Sequence, residues 1–505
     1  MADTSTQTPN PPKQKKAKKP LKIKARAPRG FVDKTAPTVR AEQGLIQAVT
    51  AIYGQHGFEP LETSAFEYAD ALGKFLPDDD RPNAGVFALQ DDDEQWMALR
   101  YDHTAPLARY AAENWQHLAK PYRRYAAGPV WRNEKPGPGR FREFWQCDAD
   151  IVGSDNPAAD AEICLIARKG LTAAGLSDEQ VSIKINNRKL LNATLDMAEV
   201  SDPTQKLIVL RALDKLDRLG LEGVTALLGD GRKDESGDFT TGAKLTPKQI
   251  ETVLAFSTAG RETRADTLTA LEGVVGGHAE GAAGLAELRA MDALFTALGH
   301  PPGAFVFDPG IVRGLEYYTG VVFEAELNIQ VQDEKGRPVQ FGAVGGGGRY
   351  DDLMTRFTGQ PVPATGFSFG VSRLVSALQA AGQTIEAPAP LVMVLVLDAE
   401  HTDHSFLLAE RVRQAGISTE VYVGTSGMKA QMKHADRRNA FAAVIVGEDE
   451  RQDSTVTIKN LELGRQLAQR IDSREKWAEE RPGQVTVPAD DMVKTLQEMW
   501  DGNQA

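Results

Sequence analysis

The chain changes periodicity at a short Pro/Ala stretch, 386–390, and that break constrains the fold more than any other feature. After it, apolar runs alternate with helical spacing: strands at 391–397, 419–423 and 442–446 and helices at 405–414 and 428–439. This alternation predicts a parallel α/β unit. Before the break, the runs 96–100, 124–131 and 144–152 are rich in aromatic and branched residues or alternate in polarity, as in an antiparallel sheet. A further strand is expected at 182–185, ending at the turn-prone pair Asn186-Asn187.

At 505 residues the chain exceeds what one hydrophobic core can organise. Residues 1–27 are polar and Lys-rich, with Lys13, Lys15, Lys16, Lys18 and Lys19, and are expected to form a solvated disordered tail, with sequence-independent phosphate contacts or a targeting peptide as the alternatives. Residues 28–200 read as the first part of a core, opening with a helix at 38–56 closed by Gly57. From 201 to 300, Leu and Ala at helical spacing broken by Gly-rich joints indicate a helical insertion. Sheet signals resume over 301–385, with strands at 305–308, 321–327 and 339–344, a glycine run at 345–348, a strand at 367–370 and a helix at 372–381. The last domain is 390–505. The fold class expected is therefore mixed, an α+β antiparallel-sheet core with a helical insertion followed by an α/β unit.

Cys147 and Cys164 are the only cysteines, too few for a disulfide framework, so a reducing, cytoplasmic setting is expected. There is no apolar run of membrane-spanning length and no signal-peptide core after Met1, so no membrane partner is expected. The net charge of -12 argues against wholesale coating of nucleic acid, but it permits local basic surfaces.

The stretch Val130 to Phe144 reads as a strand, a Gly/Pro-rich loop and a returning strand, and it concentrates Arg132, Arg140 and Arg142. Arg313 follows a distant strand, and Arg373 opens a helix after another. A lone arginine is ordinarily a solvated charge. Five near strand ends suggest polyphosphate recognition, because guanidinium is permanently charged and bidentate. The same regions hold Asp102, Thr104, Gln146, Asp150, Tyr317, Tyr318 and Tyr350, groups able to satisfy the polar atoms of a buried amine and imidazole.

In order, Arg132-Asn133-Glu134, Arg313-Gly314-Leu315-Glu316-Tyr317-Tyr318, Gly346-Gly347-Gly348-Arg349-Tyr350-Asp351 and the run from Gly366 to Leu374 closely resemble histidyl-tRNA synthetases. The first and last match motifs 2 and 3 of class II synthetases, and the middle two match elements particular to the histidine enzymes. Pro28-Arg29-Gly30 resembles motif 1, which lies at a dimer interface in that class. The resemblance implies an ATP-dependent ligase that forms histidyl-adenylate and transfers histidine to tRNA(His). Arg132, Arg313 and Arg373 would be its catalytic arginines. Glu134, Arg140, Arg142 and Phe144 would join them at ATP. Asp102, His103, Thr104 and Gln146 would surround the α-amino end of histidine, and Asp150, Tyr317, Tyr318 and Tyr350 its imidazole. It implies Mg2+ on the ATP phosphates, no protein-held metal, and a homodimer.

Glu316 departs from the Asp usual in its element, and Trp131 and Trp145 replace smaller aromatics. The run 429–436 and the segments after it resemble an anticodon-binding domain. The alternative resemblance, a regulatory paralogue that keeps only the synthetase core, is opposed by residues 391–505 and by the three catalytic arginines.

Overall fold

The computed structural model describes residues 24–72, 85–136, 141–233, 237–312, 317–329, 331–332, 338–339, 342–380, 390–468 and 483–504. Most of the Lys-rich tail, Arg140, Arg313, Glu316 and the 386–389 part of the break lie outside them. The chain divides into two compact units, 1–386 and 387–505.

The first unit is built on eight strands: β1 Glu59–Pro60, β2 Tyr122–Trp131, β3 Glu143–Val152, β4 Val181–Asn187, β5 Phe305–Phe307, β6 Val321–Leu327, β7 Ala343–Arg349 and β8 Ala364–Gly370. Their spatial order is β1-β2-β3-β8-β7-β6-β4-β5. The six central strands pair antiparallel, and only β1 and β5 join parallel at the edges. Helices α1 Ala36–Gln55, α2 Thr104–Asn114, α3 Pro157–Ala173, α4 Arg188–Met197, α5 Ala279–Ala297 and α6 Val371–Ala380 accompany the sheet.

Alternation gives the sheet two different faces. On β3, Cys147, Ala149 and Ile151 are buried against the core with Leu45 and Val49 of α1 and Ile163 and Cys164 of α3. The intervening Gln146, Asp148 and Asp150 point the other way. Behind the sheet, Arg349 is anchored to Asp160 of α3 by its Nη2 at 2.5 Å and donates from Nη1 to the carbonyl of Ser154 at 2.9 Å. Asp160 is raised in pKa by burial and drawn back by Arg349.

Between 201 and 300 the described residues are mainly helical, with a short antiparallel pair at Gly231–Lys233 and Phe239–Thr241, and the buried Val209, Leu213, Phe256, Leu271, Leu288 and Phe295 belong to one hydrophobic cluster with Ile183, Phe305 and Phe323 of the sheet. Phe295 stacks on Phe305 with centroids 4.0 Å apart.

Three expectations are corrected. The strand expected at 339–344 runs instead over Ala343–Arg349 as β7 and takes in the glycine run 345–348, because alternate glycines face phenylalanines on the core side and the site on the other. Asn186 and Asn187 do not turn: they complete β4, and the Asn187 carboxamide caps α4 by accepting from the amide of Lys189 at 3.0 Å. The second unit is not wholly parallel. Its strands β9 Leu391–Val394, β10 Ser418–Val421, β11 Ala442–Ile445, β12 Thr455–Asn460 and β13 Gln484–Pro488 run in the order β10-β9-β11-β12-β13. The first three are parallel and the last two antiparallel. Only the short helix Glu448–Gln452 separates β11 from β12, too little chain for a parallel crossover.

Candidate active site

The site lies on the open face of the β2-β3-β8-β7 region, where the register sets polar groups side by side. Arg124 of β2 stands opposite Asp150 of β3, and Asp150 opposite Gly366 of β8. One step along are Ala126, Asp148 and Ser368, and one step further Gly128, Gln146 and Gly370. Gly366 and Gly348 leave the room this needs. A Cβ at 366 would fall 1.9 Å from Asp150 Oδ1, and one at 348 would fall 2.8 Å from the Tyr318 ring.

Arg124, 1% exposed, pairs with Asp150 Oδ2 at 2.9 Å and donates to the carbonyl of His103 at 2.9 Å. Tyr350 donates its hydroxyl to Asp150 Oδ1. Tyr317 meets Tyr318 edge-on at 5.1 Å and Tyr350 at 5.6 Å, so the three rings form one wall beside Asp150. Burial pushes the Tyr317 and Tyr350 hydroxyls well above their ordinary pKa, which keeps them neutral donors.

Asp102 precedes α2, and its Oδ1 accepts from the amides of Thr104 and Ala105 at 3.0 and 2.9 Å. Burial raises its pKa, opposed by the Ala105 amide and by Arg132. Arg132 follows β2, donates from Nε to the Tyr101 carbonyl at 3.2 Å and lies 5.2 Å over the Phe144 ring. Gln146 donates from Nε2 to Ser368 Oγ at 2.8 Å. Asp148 is pushed up to about 7 by burial and by Asp150. Three carboxylates gathered around the buried Arg124, with the buried Arg100 near Asp148, make a pocket suited to a cation, with Arg132 at its border to meet an anion.

Asp102, Thr104, Gln146, Asp150, Tyr317, Tyr318, Tyr350, Arg132 and Phe144 thus share one region. Others stand apart from it. His103 is 3% exposed and turned beneath β2, where Nε2 donates to the Gly128 carbonyl at 3.2 Å; burial and Arg100 lower its pKa to about 3. Arg142 donates to the Glu134 carbonyl at 3.0 Å and packs 5.8 Å from the Phe87 ring, while the Glu134 side chain is exposed. Arg373 is closer: it is exposed in the first turn of α6, which starts directly after Gly370, and its Cβ is 3.7 Å from where a Cβ on Gly370 would lie, opposite Gln146. Arg124, Asp148 and Ser368 were not singled out in the sequence. The signal was present for Asp148, a polar residue at every second position of a strand whose other positions are apolar.

In the second unit, helix Met428–Arg437 exposes Lys429, Lys433 and Arg437. Gln431 pins its inner face by donating to the Val396 and Ser426 carbonyls at 2.6 and 2.8 Å. Arg438 is paired with Glu420 at 2.8 Å.

An antiparallel sheet carrying motifs 2 and 3 on adjacent strands defines the class II aminoacyl-tRNA synthetases, and here an α/β unit follows it. The family model "Histidyl-tRNA synthetase" matches residues 30–374, and "Anticodon binding domain" matches 391–499. The "Histidine--tRNA ligase" of Caulobacter vibrioides is 59% identical over 95% of this chain and 97% of its own length. The protein of the same description from Brucella suis biovar 1 is 52% identical over 96% and 98%. The crystal structure of histidyl-tRNA synthetase from Nostoc sp. superposes with a TM-score of 0.71 at 26% identity, covering 94% of this chain and all of that one. The chain belongs to the histidyl-tRNA synthetase family.

Proposed function

We propose that the chain is an ATP-dependent histidine–tRNA ligase, and that the pocket between Asp102, Gln146, Asp150 and the three tyrosines is where it binds L-histidine. The observation that carries this reading is the buried polar stripe of β3 walled by Tyr317, Tyr318 and Tyr350, in which carboxylates outnumber the cation. Asp102, Thr104 and Gln146 take the α-ammonium, with His103 beneath them. Asp150, Tyr318 and Tyr350 take the imidazole, backed by Tyr317. A pocket of committed hydrogen-bonding groups rejects isosteres that leave them unpaired, and such discrimination can reach about 10⁴.

Arg132 bridges the histidine carboxylate and the α-phosphate, and Arg313 supplies a second fixed charge to that phosphate. Arg373 holds the far phosphates with help from Arg140 and Arg142. Glu134 borders the adenine, and Phe144 offers it a ring. A carboxylate oxygen of histidine attacks the α-phosphorus and pyrophosphate leaves. A terminal ribose hydroxyl of tRNA(His) then attacks the acyl carbon and AMP leaves. No enzyme nucleophile is required, so catalysis is positioning and charge stabilisation. Magnesium would be carried in on the nucleotide's own phosphates. That ion neutralises phosphate charge when bound.

The exposed cations of Met428–Arg437 suit the anticodon arm. The anticodon-domain match at 391–499 favours the ligase over a regulatory paralogue. We place the protein in the cytoplasm as a homodimer. The dimer is supported by Phe66, Tyr68, Leu89 and Met97, which share one face of a small three-stranded sheet and leave Phe66, Tyr68 and Leu89 exposed. A sedimentation profile showing an active ~55 kDa species would oppose it. The decisive experiment is ATP–pyrophosphate exchange with each standard amino acid. Exchange confined to histidine and lost in Arg132→Ala and Arg313→Ala supports the reading, and exchange with another amino acid refutes it.

A further inference from the structure

We propose that Asp148 and Ser368 fix which way the Gln146 carboxamide points, turning its Oε1 toward the substrate's α-ammonium. The inference rests on the reading of Gln146 as a ligand of that ammonium. Asp148 is 2% exposed and faces Ser368 across the β3–β8 ladder. Ser368 donates its hydroxyl to Asp148 Oδ1 at 2.5 Å, and Gln146 Nε2 donates to Ser368 Oγ at 2.8 Å.

With Asp148 ionised, the direction of this relay follows from the donor inventory. An ionised carboxylate only accepts, so the serine proton is committed to Asp148 and the serine oxygen has only lone pairs left for Gln146. The carboxamide must therefore turn its NH2 toward Ser368 and its oxygen away. That oxygen is buried and without a hydrogen-bond partner among the described residues. A buried acceptor left unpaired is unfavourable, and an incoming ammonium supplies the missing donor. Were the relay to lose its acceptor-only end, Ser368 could donate to Gln146 instead. The amide would then reverse and present NH2 to a cation.

The charged groups around Asp148 include Asp150, Asp102, Arg124 and the buried Arg100, and Ser368 donates to it; its carboxyl is pushed up to about 7, so the test is run at pH 8, where it is ionised. Two competitors of pyrophosphate exchange separate the contributions. Histidinol keeps the amine, and 3-(imidazol-4-yl)propanoate lacks it. Asp148→Asn and Ser368→Ala are each expected to raise the inhibition constant of histidinol about tenfold, roughly one lost hydrogen bond to a charge, and that of the propanoate less than twofold. Ser368→Ala changes no charge, so a loss shared by both variants reports orientation rather than the field of Asp148. Ser368→Thr, which restores the hydroxyl, should recover most of the affinity.

Equal losses for both competitors, or no loss, overturn the inference. If Asp148→Asn does not fold, the contrast between Ser368→Ala and Ser368→Thr decides alone. Gln146→Ala separates the two levels of argument. Should it show no amine-dependent loss, the assignment of Gln146 falls and the inference with it. Should it alone show the loss, only the role of Asp148 and Ser368 falls.

Discussion

Adding one methyl group at position 366 tests the packing of the imidazole pocket. An alanine Cβ there would lie 1.9 Å from Asp150 Oδ1, 2.6 Å from its Cγ and 3.0 Å from the Ala149 carbonyl. The carboxylate cannot step aside freely, since Arg124 holds it at 2.9 Å and Tyr350 donates to its other oxygen. If β8 shifts instead, the cost is that of overpacking, about 1–3 kcal/mol. If Asp150 is expelled, Arg124 is left buried without its partner, at about 3–5 kcal/mol. The structure follows the cheaper path, so Gly366→Ala should destabilise the catalytic unit by about 2–3 kcal/mol in urea unfolding. It should also raise the KM for histidine in pyrophosphate exchange at least tenfold. Gly273→Ala is the control, because Gly273 is exposed in the helix Arg264–Val275 with nothing within 4 Å of a built Cβ. It should gain up to ~1 kcal/mol. Unfolding of Gly366→Ala within about 0.5 kcal/mol of the parent, with KM within twofold, would refute the steric reasoning.

His103, whose pKa is lowered to about 3 against an unfolded value near 6.5, should show no imidazole titration between pH 8 and 5 by NMR. Its neutral form contributes stability in full above about pH 6.5, and that contribution is lost as pH falls toward 3. The stability difference between the parent and His103→Asn should therefore shrink by ~2 kcal/mol from pH 7 to 5, and a pH-independent difference would contradict the assignment. Arg349→Met should cost about 3–5 kcal/mol by stranding Asp160, which is 1% exposed, whereas Arg349→Met with Asp160→Leu should recover most of it. Equal stability of the single and double variants would show that the pair is not coupled.

The architecture was legible where periodicity is strong. The hairpin of Tyr122–Trp131 and Glu143–Val152 and the helix Ala36–Gln55 lie within a few residues of where their patterns put them. The family's motifs marked Arg132, Gln146, Asp150 and Tyr350 because a chemistry of fixed charges needs those residue types. What stayed hidden depends on register. Ser368 is an ordinary strand serine until β8 sets it opposite Asp148, and nothing local distinguishes Arg124 from the solvated arginines of other strands. His103 sits between two ligand candidates in sequence, yet the start of α2 turns its ring under β2. The glycine run misled for a related reason: glycine lowers strand propensity, and only the rings of Phe323 and Phe367 against Gly345 and Gly347 explain why a strand needs it there.

The strand order β3-β8 also bears on synthesis. Gln146 and Ser368 are neighbours in space but lie 222 residues apart along the chain. At about 5–20 residues per second, a growing polypeptide carries the edge of β3 for roughly 10 to 45 seconds before β8 emerges to cover it. During that interval the acidic stripe Asp148 and Asp150, later the floor of a pocket, has a second use. Charged side chains along an unpaired strand discourage the edge-to-edge association that bare β-structure invites.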